Sequence, residues 1–462
     1  IPPVTVPVSV TTLPDLDAPQ AMAGTALGAT GPESQPPEAG FVQWRLRLHN
    51  RLIEAMDLRR QDVSAMSDAE LRVAAEVLIT RLIADMGPEL PAGLDRSQLH
   101  QQVLDEAVGL GPLEALLADN TVTEIMVNRH DEVFVERDGR LSPHPLTFTG
   151  DQAVLAVIER IVAPLGRRID EASPMVDARL QDGSRVHAII PPLALKGPCL
   201  TIRKFGRRTW GMADWVRQGA LSTTMAEFLE VCVRSRRNLV VAGGTGSGKT
   251  TLLNTLSNHI PAGERIVTVE DAAELQLQHA HLVSLESRPP NLEGKGAVSI
   301  RDLVRNTLRM RPDRIVVGEC RGAEALDMLQ AMNTGHEGSL TTLHANTPRD
   351  ALSRLETMVL MAGMELPLGA IREQIASAIH IIVQQSRFPC GTRVVTSITE
   401  VTGMESGKIQ MQELFRFRVL RPAGPHGRVQ GVHTGCDTVP LFYEAQRSAG
   451  ALLDVSIFRG VE

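Results

Sequence analysis

Apolar positions change their spacing several times along this chain. Up to residue 40 they follow no period, and the stretch holds eight prolines, four acids (Asp15, Asp17, Glu33, Glu38) and no Lys or Arg. A composition of that kind buries too little surface to fold, so residues 1–40 are expected to be a disordered arm. From Phe41 the period becomes helical. "FVQWRLRLHNRLIEAMDL", "SDAELRVAAEVLITRLIADM" and "RSQLHQQVLDEAV" set apolar residues three and four apart, and the second opens on Ser67, Asp68 and Glu70, suited to an N-terminal cap. A small helical bundle over 41–107 is predicted.

The pattern then shifts to alternation. "GLGPLEALLADNTVTEIMVNRHDEVFVERDGRL" passes from a short helix to two strands joined at "NRHDE", and "GSRVHAIIPP" and "CLTIRKF" add further strands, giving an α+β domain over 108–205. "GRRTWGMADW" reads as a hinge, with the linker set at 206–220. Beyond it, helical and strand patterns alternate as in a parallel α/β sheet to about residue 385 and close on the antiparallel-type strands "TRVVTSITEV" and "GKIQMQELFRF". The second α/β domain is placed at 221–420. The tail, 421–462, is punctuated by Gly and Pro and yields little. The fold class is α/β.

Composition narrows the functions. With 462 residues and 43% hydrophobic content, several cores are within reach. A net charge of −7 and only 3% aromatics offer neither a basic field nor a stacking platform, so direct nucleic-acid binding is not expected. The cysteines, Cys199, Cys232, Cys320, Cys390 and Cys436, are odd in number and without a CxxC pair, which favours reduced thiols over a zinc module. No run approaches eighteen apolar residues, so any membrane association is expected to be peripheral. The chain opens on Ile1, and its true start is expected to lie upstream.

The chemistry gathers after the hinge. "GGTGSGKT", comprising Gly243, Gly244, Thr245, Gly246, Ser247, Gly248, Lys249 and Thr250, fits G-x-x-x-x-G-K-[ST] between the strand candidate "NLVVA" and the helix candidate "KTTLLNTLSNHI", which also carries Thr251. Glycines there let successive N–H groups face a phosphate chain at a helix N-terminus. Lys249 would reach the β- and γ-phosphates of ATP, and the Thr250 hydroxyl would ligate Mg²⁺. Hydrolysis further requires a carboxylate at a strand's carboxyl end. "ERIVTVEDAAEL" supplies Glu270 and Asp271, with Glu274 a turn later, and "RPDRIVVGECRG" supplies Glu319 after an apolar strand. Glu319 is the stronger candidate for orienting water. Gly318 stands where a Walker B aspartate is usual, leaving Mg²⁺ to Thr250, water and Glu270. His336 and His344 bracket another strand candidate and lack a third metal partner at useful spacing, so hydrogen-bonding sensors are expected.

Together "GGTGSGKTT", "TVEDAAEL", "RMRPDRIVVGECRG" and "TGHEGSLTTLHANTPRDAL" resemble the Walker A, acidic, atypical Walker B and His boxes of the secretion ATPase superfamily that drives type II and type IV secretion and type IV pili. The resemblance covers about Gly109 to Phe417, and Gly before Glu is that family's own Walker B pattern. "DARLQDGSRVHAIIPPLALKGPCLTIRKF" and "ITEVTGMESGKIQMQELFRF" are most similar to the Tad/Flp pilus assembly branch. The resemblance implies a PAS-like cap before the hinge, a RecA-like ATPase domain after it, a homo-hexamer, and a cytoplasmic location against an inner-membrane platform protein of the pilus, where ATP hydrolysis is expected to power assembly, and retraction is a further expectation. It further implies that Arg185 and Arg203 come onto the phosphates when the domains close. Type IV secretion of protein or DNA, and a nucleotide-gated assembly switch with little turnover, are the competing expectations.

Overall fold

The structure, a computed structural model, describes residues 37–58, 66–137, 139–206, 210–290, 294–363, 365–421 and 429–460. The expected arm lies outside these residues up to 36, as do 207–209 of the hinge and 422–428 of the tail.

Three helices come first: α1 (Pro37–Leu58), α2 (Asp68–Asp85) and α3 (Arg96–Val108). The cap read from the sequence forms, with Ser67 Oγ accepting from Glu70 N and the Glu70 carboxylate accepting from Ser67 N at 2.9 Å. Leu48, Leu52, Ile79, Leu99 and Val103 make the helices' common core.

A six-stranded antiparallel sheet follows among the described residues. Its elements are α4 (Leu113–Ala118), β1 (Val122–Arg129), β2 (Glu132–Arg137), β3 (Arg140–His144), α5 (Asp151–Val162), β4 (Met175–Arg179), β5 (Arg185–Ile189) and β6 (Cys199–Arg203), in the spatial order β3-β2-β1-β6-β5-β4. Helix α5 buries Val154, Val157, Ile158 and Ile161 against the inward residues of this sheet, including Ile125, Val135 and Ile202.

The chain then enters a larger sheet through α6 (Met212–Arg217), α7 (Thr223–Arg234), β7 (Leu239–Gly243), α8 (Lys249–Ser257), β8 (Ile266–Glu270), β9 (Leu282–Glu286), α9 (Ile300–Thr307), β10 (Arg314–Val317), α10 (Glu324–Asn333), β11 (Leu340–Leu343), α11 (Pro348–Met361) and α12 (Leu368–Ala378). It closes with β12 (Ile381–Arg387), β13 (Arg393–Glu405), β14 (Lys408–Arg421), β15 (Gln430–Gly435) and α13 (Leu441–Ser448). Among the described residues its nine strands run β15-β14-β13-β12-β7-β11-β10-β8-β9. From β12 to β9 neighbours are parallel, and from β12 to β15 they are antiparallel. Strands β7, β8, β10 and β11 are buried throughout, as parallel strands covered on both faces must be.

Side-chain alternation along β7 divides the core. Leu239 and Val241 point to the face packed by α7, α8 and the C-terminal segment, whereas Val240 and Ala242 point to the face packed by α10, α11 and α12. The tail, which carried little signal, supplies Phe442, Tyr443 and Phe458 to the first face, around Phe228 and Phe415. Among the described residues no helix is long and apolar enough to cross a membrane.

Candidate functional site

Parallel strands β7, β8, β10 and β11 all present their carboxyl ends to one edge of the sheet, where the chain must turn back into a helix or loop. At that edge β7 ends in the glycine-rich loop and α8 begins at Lys249. Gly246 and Gly248 adopt φ of +68° and +97°, the left-handed region that a side chain disfavours. A Cβ at Gly243 would stand 2.4 Å from Gln385 O and 2.6 Å from Ser247 Oγ, so the first glycine serves close packing. Three donors converge on Gly244 O: Lys249 Nζ at 3.0 Å, Ser247 Oγ at 2.9 Å and Ser247 N at 3.4 Å. Donors gathered on one oxygen at a helix start are what a bound phosphate oxygen requires, and the loop fits that group. Lys249 is 7% exposed; burial lowers its pKa, with the opposing pull of Glu319 second. Thr250 and Thr251 follow it on the first turn.

The carboxylates flank this loop. Glu270, 3% exposed at the end of β8, accepts from Glu274 N at 2.9 Å and Leu275 N at 3.1 Å through Oε1, while Oε2 is buried without a partner. Burial pushes its pKa up to about 7. A Cβ at Gly318 would lie 2.9 Å from Glu270 Cγ. The glycine before Glu319 is therefore explained: the Glu270 side chain occupies the space a Walker B side chain would need.

Glu319 follows β10. Its Oε2 accepts from Arg321 Nε at 2.8 Å and Nη2 at 2.6 Å, and His344 Nε2, just past β11, lies 2.9 Å from Oε1. Burial lowers the His344 pKa first, and Lys249 nearby lowers it further. Asp271 accepts from Ser287 Oγ at 2.9 Å and lies 3.4 Å from Arg321 Nη1. Lys249, Glu270, Glu319, His344, Asp271 and Glu274 thus share the carboxyl edge. His336 does not: it precedes β11, which separates it from His344 by four strand residues, roughly 13 Å of backbone. Its Nδ1 is buried without a partner at the other edge.

Arg185 and Arg203, on neighbouring strands β5 and β6 of the first sheet, reach across to the acidic loop. Arg185 donates to Ala272 O at 2.7 Å and lies 3.2 Å from Glu274 Oε1; Arg203 lies 3.8 Å from the same oxygen and from Glu124. They meet the loop after β8 rather than the glycine loop. Three arginines that sequence reasoning passed over also stand here. Arg321 holds Glu319, and its place two residues on in "GECRG" was a signal. Arg387 and Arg393 flank the β12–β13 turn and reach the glycine loop, with only the pairing of arginines in "RFPCGTR" to mark them. Among the described residues no trio of His, Cys, Asp or Glu side chains is grouped for a metal. A Mg²⁺ ion would have to combine Thr250 or Glu270 with oxygens of the nucleotide, and the unpartnered Glu270 Oε2 fits that use.

A glycine loop between a buried parallel strand and a helix, with a strand-end carboxylate beside it, defines the P-loop class of phosphate-binding proteins. The chain belongs to the type II/IV secretion system protein family, whose model matches residues 106–414. A Mycobacterium tuberculosis protein named for conjugal transfer is 40% identical over 311 residues, 66% of this chain and 88% of that protein. The type IV secretion system protein PtlH of Bordetella pertussis is 36% identical over 307 residues, 60% of this chain and 89% of PtlH. Among solved structures, the VirB11 ATPase of the Brucella suis type IV secretion system aligns with a TM-score of 0.35 at 30% identity, covering 62% of this chain and 94% of VirB11.

Proposed function

We propose that this protein is a Mg²⁺-dependent ATPase of the secretion family, whose second sheet is the RecA-like motor domain and whose first sheet is its PAS-like cap, working as a hexamer at the cytoplasmic face of a membrane. The observation that carries this reading is the convergence of Lys249 and Ser247 donors on one oxygen at the start of α8, beside Glu319. Lys249 and the loop N–H groups would bind the β- and γ-phosphates. Glu319 would orient the attacking water, held in place by Arg321 on Oε2, while Oε1, beside His344 and without a hydrogen-bond partner, would face the water. Thr250 and Glu270 would hold Mg²⁺, which neutralises charge on the transferring phosphoryl group when bound. Arg185 and Arg203, joined through Glu274 to the loop that carries Glu270, would couple nucleotide state to the position of the cap.

The test is steady-state phosphate release with nucleotide binding measured alongside. Lys249→Ala is expected to lose both, and Glu319→Gln to bind ATP while turning over about 10²-fold more slowly or worse. A near-parental rate from Glu319→Gln would transfer water activation to Glu270. Binding without turnover in the parent would leave a nucleotide-gated switch.

For the cargo, the motif likeness to Tad/Flp motors supports assembly of a pilus on a membrane platform protein. The names of the relatives support a second reading, type IV secretion or conjugal transfer of protein or DNA. Capture of the membrane partner from native cells separates them.

A further inference from the structure

Beneath the glycine loop lies a cluster that neither the chemistry above nor the family motifs employ. Arg387 ends β12 and Arg393 begins β13, and the turn between them brings both guanidiniums against the loop. Arg393 Nε donates to Gly246 O at 2.8 Å. A Cβ at Gly246 would meet Arg387 Nη1 at 2.8 Å, and one at Gly248 would come within 3.1 Å of Gln385 Nε2 and 3.8 Å of Arg393 Cδ. The other side of the cluster belongs to the first sheet. Arg387 Nη2 donates to Gly139 O in the β2–β3 turn, and Glu136 Oε1, on β2 and 9% exposed, lies 3.9 Å from Arg387 and 3.7 Å from Arg393. Two adjacent cations thus share the buried Glu136 carboxylate at ion-pair distance, with Glu124 a further acidic neighbour, and Glu136 offsets the repulsion between them while Gly139 O and Gly246 O anchor one guanidinium each.

We infer that Arg387 and Arg393 are positioning residues that transmit the placement of the first sheet to the phosphate-binding loop, with Glu136 and Gly139 as the sheet's point of attachment. A trans peptide unit directs its C=O and the following N–H in opposite senses. When Arg393 holds Gly246 O, it therefore fixes the direction of the Ser247 N–H, one of the donors already converging on Gly244 O. Glu136 withdrawn from the arginines releases that carbonyl, and the loop loses preorganisation for an anion. A displacement of the first sheet thereby changes nucleotide affinity without any residue of that sheet touching the phosphates.

The inference rests on the proposed nucleotide binding, and the experiment separates the two. Full-length parent, Glu136→Gln, Arg393→Gln, the double variant and Arg418→Gln, an exposed arginine of β14 outside the cluster, are compared for Kd of a fluorescent ADP analogue, for KM and kcat of phosphate release, and for melting temperature. Loss of one charge-assisted hydrogen bond to the loop predicts about a tenfold rise in Kd and KM for Arg393→Gln, with kcat within about threefold of parent. Glu136→Gln is expected to raise them about threefold to tenfold alone and to add nothing in the Arg393→Gln background. Arg418→Gln is expected to match parent throughout. Parental Kd in both single variants, additive effects in the double, or a fall in kcat at constant KM each overturn the inference while leaving nucleotide binding intact. Failure of the parent itself to bind ADP overturns both. A variant with an unchanged melting temperature and raised Kd supports positioning; a Kd that changes only in step with lost stability opposes it.

Discussion

At Gly318 the absent side chain leaves room for another residue's carboxylate. The space a Cβ would enter is within 2.9 Å of Glu270 Cγ, and Glu270 is in turn held by two backbone N–H groups of the acidic loop. Gly318→Ala is therefore expected to lower stability by about 1–3 kcal/mol and to displace Glu270, as overpacking does. Glu270→Ala alongside it should remove most of that penalty, since the clash is with one side chain. Urea denaturation of the two single variants and the double measures the coupling, and full additivity would show that the two residues do not compete for the space. Some residues of the site could be read from sequence because the chemistry is local: a glycine loop between strand and helix, and acids at strand ends. His336 illustrates the limit. Eight positions from His344, it stands on the opposite edge because a strand runs between them.

Strand order decides what else meets the loop. Strand β12 lies beside β7 by a parallel crossover, and that adjacency alone brings Gln385, Arg387 and Arg393 under the glycines. No spacing in the sequence announces it. Strands β3 and β4, short and weakly alternating, were equally silent. At the amino end of β7 the same adjacency builds a knot. Asn238 Oδ1 accepts from Gly338 N at 2.6 Å and Ser339 N at 3.0 Å, its Nδ2 donates to Ala378 O at 2.6 Å, and its backbone N donates to His380 Nδ1 at 2.9 Å. Burial pushes the His380 pKa down to about 4, with Arg237 adding to the effect. The folded protein thus resists protonation that the unfolded chain accepts near pH 6.5. The stabilisation is present above pH 6.5 and is lost as pH falls from there through 4, to a total of about 3 kcal/mol. His380→Asn retains an acceptor for Asn238 N and cannot titrate, so its unfolding free energy should fall less steeply than the parent's between pH 6.5 and 4. Parallel slopes in denaturant titrations at several pH values would exclude His380 as the source.

On the scale of the whole molecule, the C-terminal segment completes the face of the larger sheet that its strands leave open. Phe458, 1% exposed, packs its ring 5.2 Å from Phe415 and Tyr443 and 5.4 Å from Phe228. Phe458→Ala is expected to cost about 3–5 kcal/mol by the loss of a buried ring and the cavity it leaves. A shift of less than 1 kcal/mol in the denaturation midpoint, at unchanged slope, would mean that the core closes without it. The two sheets also touch through Arg179 and Glu286 at 2.9 Å, through Arg185 and the acidic loop, and through Arg387 and Gly139, so several ties join them. The position of β7 matters before any of this exists. Its partners β11 and β12 begin about 100 and 140 residues further along the chain. On a ribosome adding about 5–20 residues per second, roughly 7–28 s pass between the emergence of "LVVAG" and that of its second neighbour. During that interval the most apolar strand of the larger sheet, with both edges unpaired, is bare in a crowded cell, and its yield depends on what shields it there.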